Sequence, residues 1–104
     1  MPAEDFQITL QPDGEAVRIV VVGELDIATA PQLLERLDSG HSADGGVAIL
    51  DLTRVTFIDS SGLLAVMDTA ERLGERVAII PSDACLRLFE LVGVTGHLPL
   101  LERP

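Results

Sequence analysis

With 104 residues and a formal net charge of -10, the chain has room for one domain with a modest core, and its acidity opposes direct binding to nucleic acid or an anionic membrane. All seven cations are Arg, so there is no lysine for Schiff-base chemistry or for gripping phosphate in a P-loop. Cys85 is the single cysteine, which excludes an intramolecular disulfide and a cysteine-rich zinc site.

Hydrophobic residues make up 47% of the chain but aromatics only 3%, so the core must be built mainly from Leu, Val, Ile and Ala. Without Tyr, tyrosine phosphorylation is ruled out. Met1 to Asp5 lack the basic and apolar regions of a signal peptide, and no apolar run reaches membrane-spanning length. A cytoplasmic protein with no membrane contact is expected.

Phe6, Ile8 and Leu10 alternate with Gln7, Thr9 and Gln11, the period of an edge strand with one wet face. Pro12-Asp13-Gly14 predicts a turn, and Val17 to Val22 a strand inside the sheet, forming an antiparallel hairpin with the first. Gly23 then reads as the turn after that strand. Thr29-Ala30-Pro31-Gln32 has capping-box spacing, with Thr29 as N-cap. The helix it opens places Ala30, Leu33, Leu34 and Leu37 on one face and turns Glu35, Arg36 and Asp38 away. Ser39 to Gly46 has loop composition.

Val47 to Leu52 predicts a short buried strand, and Thr53 to Thr56 lead to Phe57-Ile58-Asp59-Ser60-Ser61-Gly62-Leu63-Leu64. There an apolar run ends in small polar residues and a helical period begins. Ser60 or Ser61 stands where an N-cap is expected, and the first-turn N–H groups behind it favour anions, including a phosphate carried on a hydroxyl. Leu63, Val66, Met67 and Ala70 form the inner face of this helix with Leu64 flanking it, and Gly74 ends it. Val77 to Ile80 is another buried strand. A third helix follows from Pro81-Ser82-Asp83, with Cys85, Leu88, Phe89 and Val92 inward, and Leu98 to Leu101 suggests a last edge strand because Pro99 cannot donate to a ladder. The order describes an α/β domain in which a hairpin leads into crossover units.

Gly23-Glu24-Leu25-Asp26 with Thr29-Ala30, Leu50-Asp51-Leu52, Val55 to Leu63, and Leu86 to Val94 resemble, in the same order, the anti-anti-sigma factors of the STAS family. The resemblance runs from about Ile8 to Leu101. It implies a single STAS domain over residues 1–104, with a core at about 6–101 and a small mixed sheet of about five strands covered by helices mainly on one face. It further implies an anti-sigma factor antagonist that needs no cofactor. Unphosphorylated, such a protein binds an anti-sigma factor that is also a serine kinase of GHKL ATPase type, and a sigma factor is released. Phosphorylation of Ser60 switches binding off, and a PP2C-type phosphatase restores it. Asp26, Thr29, Asp59, Ser61, Gly62 and Leu63 are the partner-binding residues implied around Ser60. Family members that do not switch, such as scaffold or accessory subunits of stress-signalling or lipid-transport complexes, supply the alternative. Leu64 stands where many members carry a second Gly, a departure on the partner-facing helix.

Other chemistries are weaker. A nucleophilic Ser60 would need His97 as base, but Asp59-Ser60-Ser61-Gly62 is not a nucleophile elbow and His41 falls in a predicted loop. His97 reads as a turn or surface residue and Cys85 as a core thiol. The pairs Glu24 with Asp26 and Asp51 with Asp59 match no calcium-loop spacing.

Overall fold

The computed structural model describes residues 6–40 and 46–101. Alternation of Ile8 and Leu10 with exposed Gln7, Thr9 and Gln11 gives β1 (Gln7–Asp13), whose apolar side packs on the core. A two-residue turn at Gly14 and Glu15 returns the chain as β2 (Ala16–Leu25), antiparallel to β1 from Asp13↔Ala16 to Gln7↔Val22. The predicted hairpin is present, and β2 runs three residues further than expected. Gly23 is the reason: its φ of 109° suits only glycine, and it sits where the register of β2 shifts. It marks a bulge inside the strand rather than a turn after it, and beyond it Leu25 comes opposite Ile58.

α1 (Ala30–Gly40) buries Ala30, Leu33 and Leu37 as their spacing predicts. Arg36 does not simply face solvent, since its guanidinium donates to the Ile8 carbonyl at 2.9 Å and ties α1 to the edge strand. Ser39 and Gly40 are helical, which shortens the expected loop from its N-terminal side; His41 lies outside the described residues.

β3 (Ala48–Ile58) continues six residues past the predicted end at Leu52. It pairs parallel with β2 along its length and with β4 (Val77–Ile80) only from Ala48 to Asp51. The sheet order is β1-β2-β3-β4, so the β2-to-β3 and β3-to-β4 crossovers step the same way. Right-handed crossover therefore lays α1 and α2 (Ser60–Leu73) on one face, where they pack against each other. The rows Val17-Ala48-Val77 and Ile19-Leu50-Ile79 form the floor of the core.

α3 (Asp83–Val92) packs on β3, beside its outer half where β4 has already ended. Ser82 caps it, and Cys85 and Phe89 are fully buried. Leu88 is half-buried, but Val92, next to the C-cap Gly93, is exposed rather than inward. The expected fifth strand is reduced to one bridge. Leu100 pairs with Ile79, held by Ile79 N–H to Pro99 O at 2.8 Å and Leu101 N–H to Ile79 O at 2.7 Å, while Pro99 itself has no N–H to extend the ladder.

Arg18, Val20, Asp51 and Ile80 alternate with the core rows and so belong to the opposite sheet face. Asp51, 9% exposed, accepts from Thr53 N–H and Oγ1 at 2.9 and 2.6 Å and from Arg18 at 2.8 Å. Burial pushes its carboxyl up, but the Thr53 and Arg18 hydrogen bonds together outweigh that and hold it below its usual value of 3.8. A depressed folded pKa stabilises above the unfolded pKa and is lost as pH falls through the folded one. Asp51→Asn is therefore expected to cost about 1–2 kcal/mol at neutral pH, with the gap to wild type narrowing below about pH 4 in urea titrations. A gap independent of pH would refute this role.

Candidate functional site

Leu25 and Ile58 are register partners in parallel strands, and Asp59 N–H reaches Leu25 O at 3.4 Å. The next residues, Asp26 and Asp59, therefore leave the sheet side by side, about 5 Å apart as neighbouring strands are. This is how residues 33 positions apart in sequence come to share one site.

Asp59, not a serine, caps α2. Its backbone is extended, and its Oδ1 accepts from Ser61 N–H at 2.9 Å and Gly62 N–H at 3.1 Å. Ser60 becomes the first helical residue, exposed, and among the described residues its hydroxyl has no hydrogen-bond partner. Ser61 is half-buried. Two of the first-turn donors expected to welcome an anion are thus already held by a carboxylate. Gly62 is buried against β2, where an added Cβ would collide with the Leu25 carbonyl. Leu63 is 5% exposed. Both residues hold α2 in place and offer a partner no surface.

Asp26 organises the turn into α1. Its Oδ1 accepts from Ala28 N–H at 3.0 Å and Thr29 N–H at 3.1 Å, and its carbonyl accepts from Ala30 N–H at 2.7 Å. The Thr29 hydroxyl accepts from Asp26 N–H at 2.8 Å and donates to Glu24 O at 2.7 Å. It closes the loop backwards instead of capping Gln32, so the expected capping box gives way to a tight Asp26–Thr29 turn. Stiffening of this turn fixes the residue between its ends, Ile27, which is 77% exposed.

Ile27 was not picked out by the sequence, whereas Leu64, which reads both as flanking the inner face and as a departure on the partner-facing helix, is 64% exposed. With Ala30, Pro31, Leu34, Ser61, Ala65 and Asp68 they line a shallow, mostly apolar groove between the starts of α1 and α2. The available signals were an isoleucine inside a turn and a leucine one step, about 100°, round the helix from buried Leu63.

His97 lies in a 3-10 turn (Thr95–His97) beside Glu71 and Gly74, at the far end of α2, about 15 Å or more from Ser60 by helix rise. His97, the one histidine among the described residues, is therefore out of reach of the Ser60 hydroxyl. Cys85 is buried, and burial pushes its thiol up. The Asp51 carboxylate is committed to Arg18 and Thr53 on the other sheet face, away from Asp59. What remains is a surface: the exposed Ser60 hydroxyl, next in sequence to the capping Asp59, at a helix start whose Ser61 lines an apolar groove.

A family model described as Mlab, STAS domain matches residues 8–102. The anti-sigma-B factor antagonist of Listeria monocytogenes serovar 1/2a is 37% identical over 92 residues, covering 85% of this chain and 81% of that protein. An anti-sigma factor antagonist from Mycobacterium paratuberculosis superposes with a TM-score of 0.81 at 27% identity, over 92% of this chain and 85% of that one. The anti-sigma factor antagonist SpoIIAA in its unphosphorylated form shares the fold, with a TM-score of 0.70 at 23% identity over 96% and 89% of the two chains. The chain belongs to the STAS domain family. No helix among the described residues is long and apolar enough to cross a membrane.

Proposed function

We propose that this protein is a cytoplasmic anti-sigma factor antagonist whose binding is switched by phosphorylation of Ser60. In its unphosphorylated form it binds an anti-sigma factor that is also a serine kinase of GHKL ATPase type, and a sigma factor is released. A PP2C-type phosphatase resets it. The observation that carries the reading is the Ser60 hydroxyl: exposed, without a hydrogen-bond partner among the described residues, and not needed as the cap that Asp59 already provides. A kinase can reach it without unfolding α2, and modifying it costs the fold no contact.

A phosphate adds about -1.5 to -2 charges at neutral pH. With Asp59 already bonded to the Ser61 and Gly62 N–H groups, the new charge stands next to a carboxylate rather than in an empty cradle. The patch becomes bulky, hydrated and repulsive to a pocket shaped for a neutral hydroxyl. A loss of about 100-fold in affinity corresponds to about 2.7 kcal/mol, within what a buried unpaired charge costs. No change of fold is required.

The test uses wild type, Ser60→Ala and Ser60→Asp as baits in lysate of the source organism, with affinities then measured against the purified anti-sigma factor. Wild type and Ser60→Ala are expected to capture a GHKL-type ATPase, and Ser60→Asp to bind it about 100-fold more weakly. Radiolabel from ATP should enter wild type and not Ser60→Ala. Identical capture by all three baits would refute the switch and favour a non-switching scaffold or accessory subunit.

A further inference from the structure

Four of the seven large hydrophobic residues exposed among the described ones, Ile27, Phe57, Leu64 and Leu91, fall in two grooves near the Ser60 helix start, one lined by Ser61 and the other by Ile58. The first, holding Ile27 and Leu64, is the groove described above, and the charged residue in its wall is Asp68. The second lies between the end of β3 and α3. Phe57, 48% exposed, and Leu91, 83% exposed, form its apolar walls with Leu88 and Ile58, and its only charged lining residue is Arg87. A cation in an apolar groove with no lining carboxylate is unusual on a chain of net charge -10, and it selects an occupant whose local charge is negative.

We propose that this second groove is a separate docking point for the same anti-sigma factor, taking an apolar side chain with a neighbouring carboxylate, and that its contribution is independent of the phosphorylation state of Ser60. The inference rests on the functional reading above. Phe57 is three residues from Ser60, at most about 10 Å along an extended chain, whereas a standard interface buries about 800 Å² on each partner. A partner surface of that size centred on Ser60 is wide enough to reach the Phe57 rim. A second copy of this chain is disfavoured as occupant, because each copy brings ten net negative charges to the contact.

Two anchors built on different elements make separate use of binding energy. The Ser60 side is cancelled by phosphate, and the Arg87 side is not, so the modified protein is weakened to a residual affinity set by the second groove. Independent contacts multiply as fold-changes.

The experiment measures, by calorimetry, binding of the full chain to the purified anti-sigma factor captured by wild type. Leu91→Ser and Arg87→Glu are made in the wild-type and in the Ser60→Asp backgrounds. Leu91 is exposed enough for its replacement to leave thermal unfolding unchanged, which is checked in parallel. Each change is expected to weaken binding about 10-fold, by the same factor in both backgrounds, with Arg87→Lys retaining most of the affinity. Unchanged affinity for Leu91→Ser and Arg87→Glu, with Ser60→Asp still weakening it, overturns this proposal and leaves the switch standing. A loss confined to one background overturns the independence of the two contacts. If Leu91→Ser instead turns a dimer into a monomer without altering affinity, the groove belongs to a second copy and the proposal fails. If no anti-sigma factor binds wild type, both readings fall together.

Discussion

Phe89→Ala is expected to lower the free energy of unfolding by about 4 kcal/mol, a large share of the 5–15 kcal/mol typical of a domain. Phe89 heads the fully buried side chains by volume and has no exposed surface. The chain has three aromatic residues, and the other two, Phe6 and Phe57, are half-buried and exposed. Phe89 is thus the one fully buried aromatic side chain, and it lies on the helix that packs against β3. The core cluster it belongs to is built largely on strands pinned by pairing, which limits collapse into the cavity, and α3 would keep Cys85 as its one fully buried side chain, with Ala84, Leu86 and Leu88 only partly buried. Urea unfolding of Phe89→Ala against Phe57→Ala checks this, with a loss under about 1 kcal/mol expected for the exposed ring. Equal losses would mean that α3 is not anchored through Phe89. The same variant should also erase the groove of Phe57 and Leu91, since one of its walls is α3.

The helix faces could be read from sequence because burial and helical spacing coincide there: Ala30, Leu33 and Leu37 in α1, Leu63 and Val66 in α2. β3 could not be followed past Leu52 for the opposite reason. In Thr53-Arg54-Val55-Thr56-Phe57-Ile58 two exposed residues precede each buried one, and register shifts against β2 break the alternation that marks a strand. Strand identity in that half comes from pairing with Leu25, a contact 33 residues away in sequence. The cap of α2 was ambiguous because Asp59, Ser60 and Ser61 are all good capping residues. The choice is made by Leu25 opposite Ile58, which fixes where the strand must end and leaves Asp59 at the junction. At Thr29 the capping-box spacing was present, yet the hydroxyl lies 2.7 Å from Glu24 O, which only the bulged path of β2 brings near. Leu64 reads as flanking the inner face because leucine spacing carries no sign for outward orientation when two leucines are adjacent. Functional surface of this kind is visible only once the core has been filled.

Gly62→Ala is expected to destabilise the fold by about 3 kcal/mol, against a helix propensity that on its own favours Ala by about 1 kcal/mol. A Cβ at this position would overlap the Leu25 carbonyl and lie 2.8 Å from Ile58 Cγ1. Ile58 is buried and branched at Cβ, so its side chain has little room to give way, and the carbonyl has less. Leu25 is held by its pairing with Ile58 and by the Asp59 N–H on that same oxygen. Relief must come from α2, whose first turn would lift away from β2 and carry Ser60 and Ser61 with it. Gly96 is the internal control: its Cβ would meet nothing within 4 Å and its backbone is not left-handed, so Gly96→Ala should be neutral or slightly stabilising. Two readouts separate the consequences. Urea midpoints measure the cost to the fold, and affinity for the anti-sigma factor, measured where Gly62→Ala is still folded, reports whether the Ser60 platform has moved. A stable Gly62→Ala would show that α2 does not depend on this close approach. A destabilised but folded variant with wild-type affinity would show that the partner does not read the position of the first turn, and the reason for a glycine here would then be packing alone.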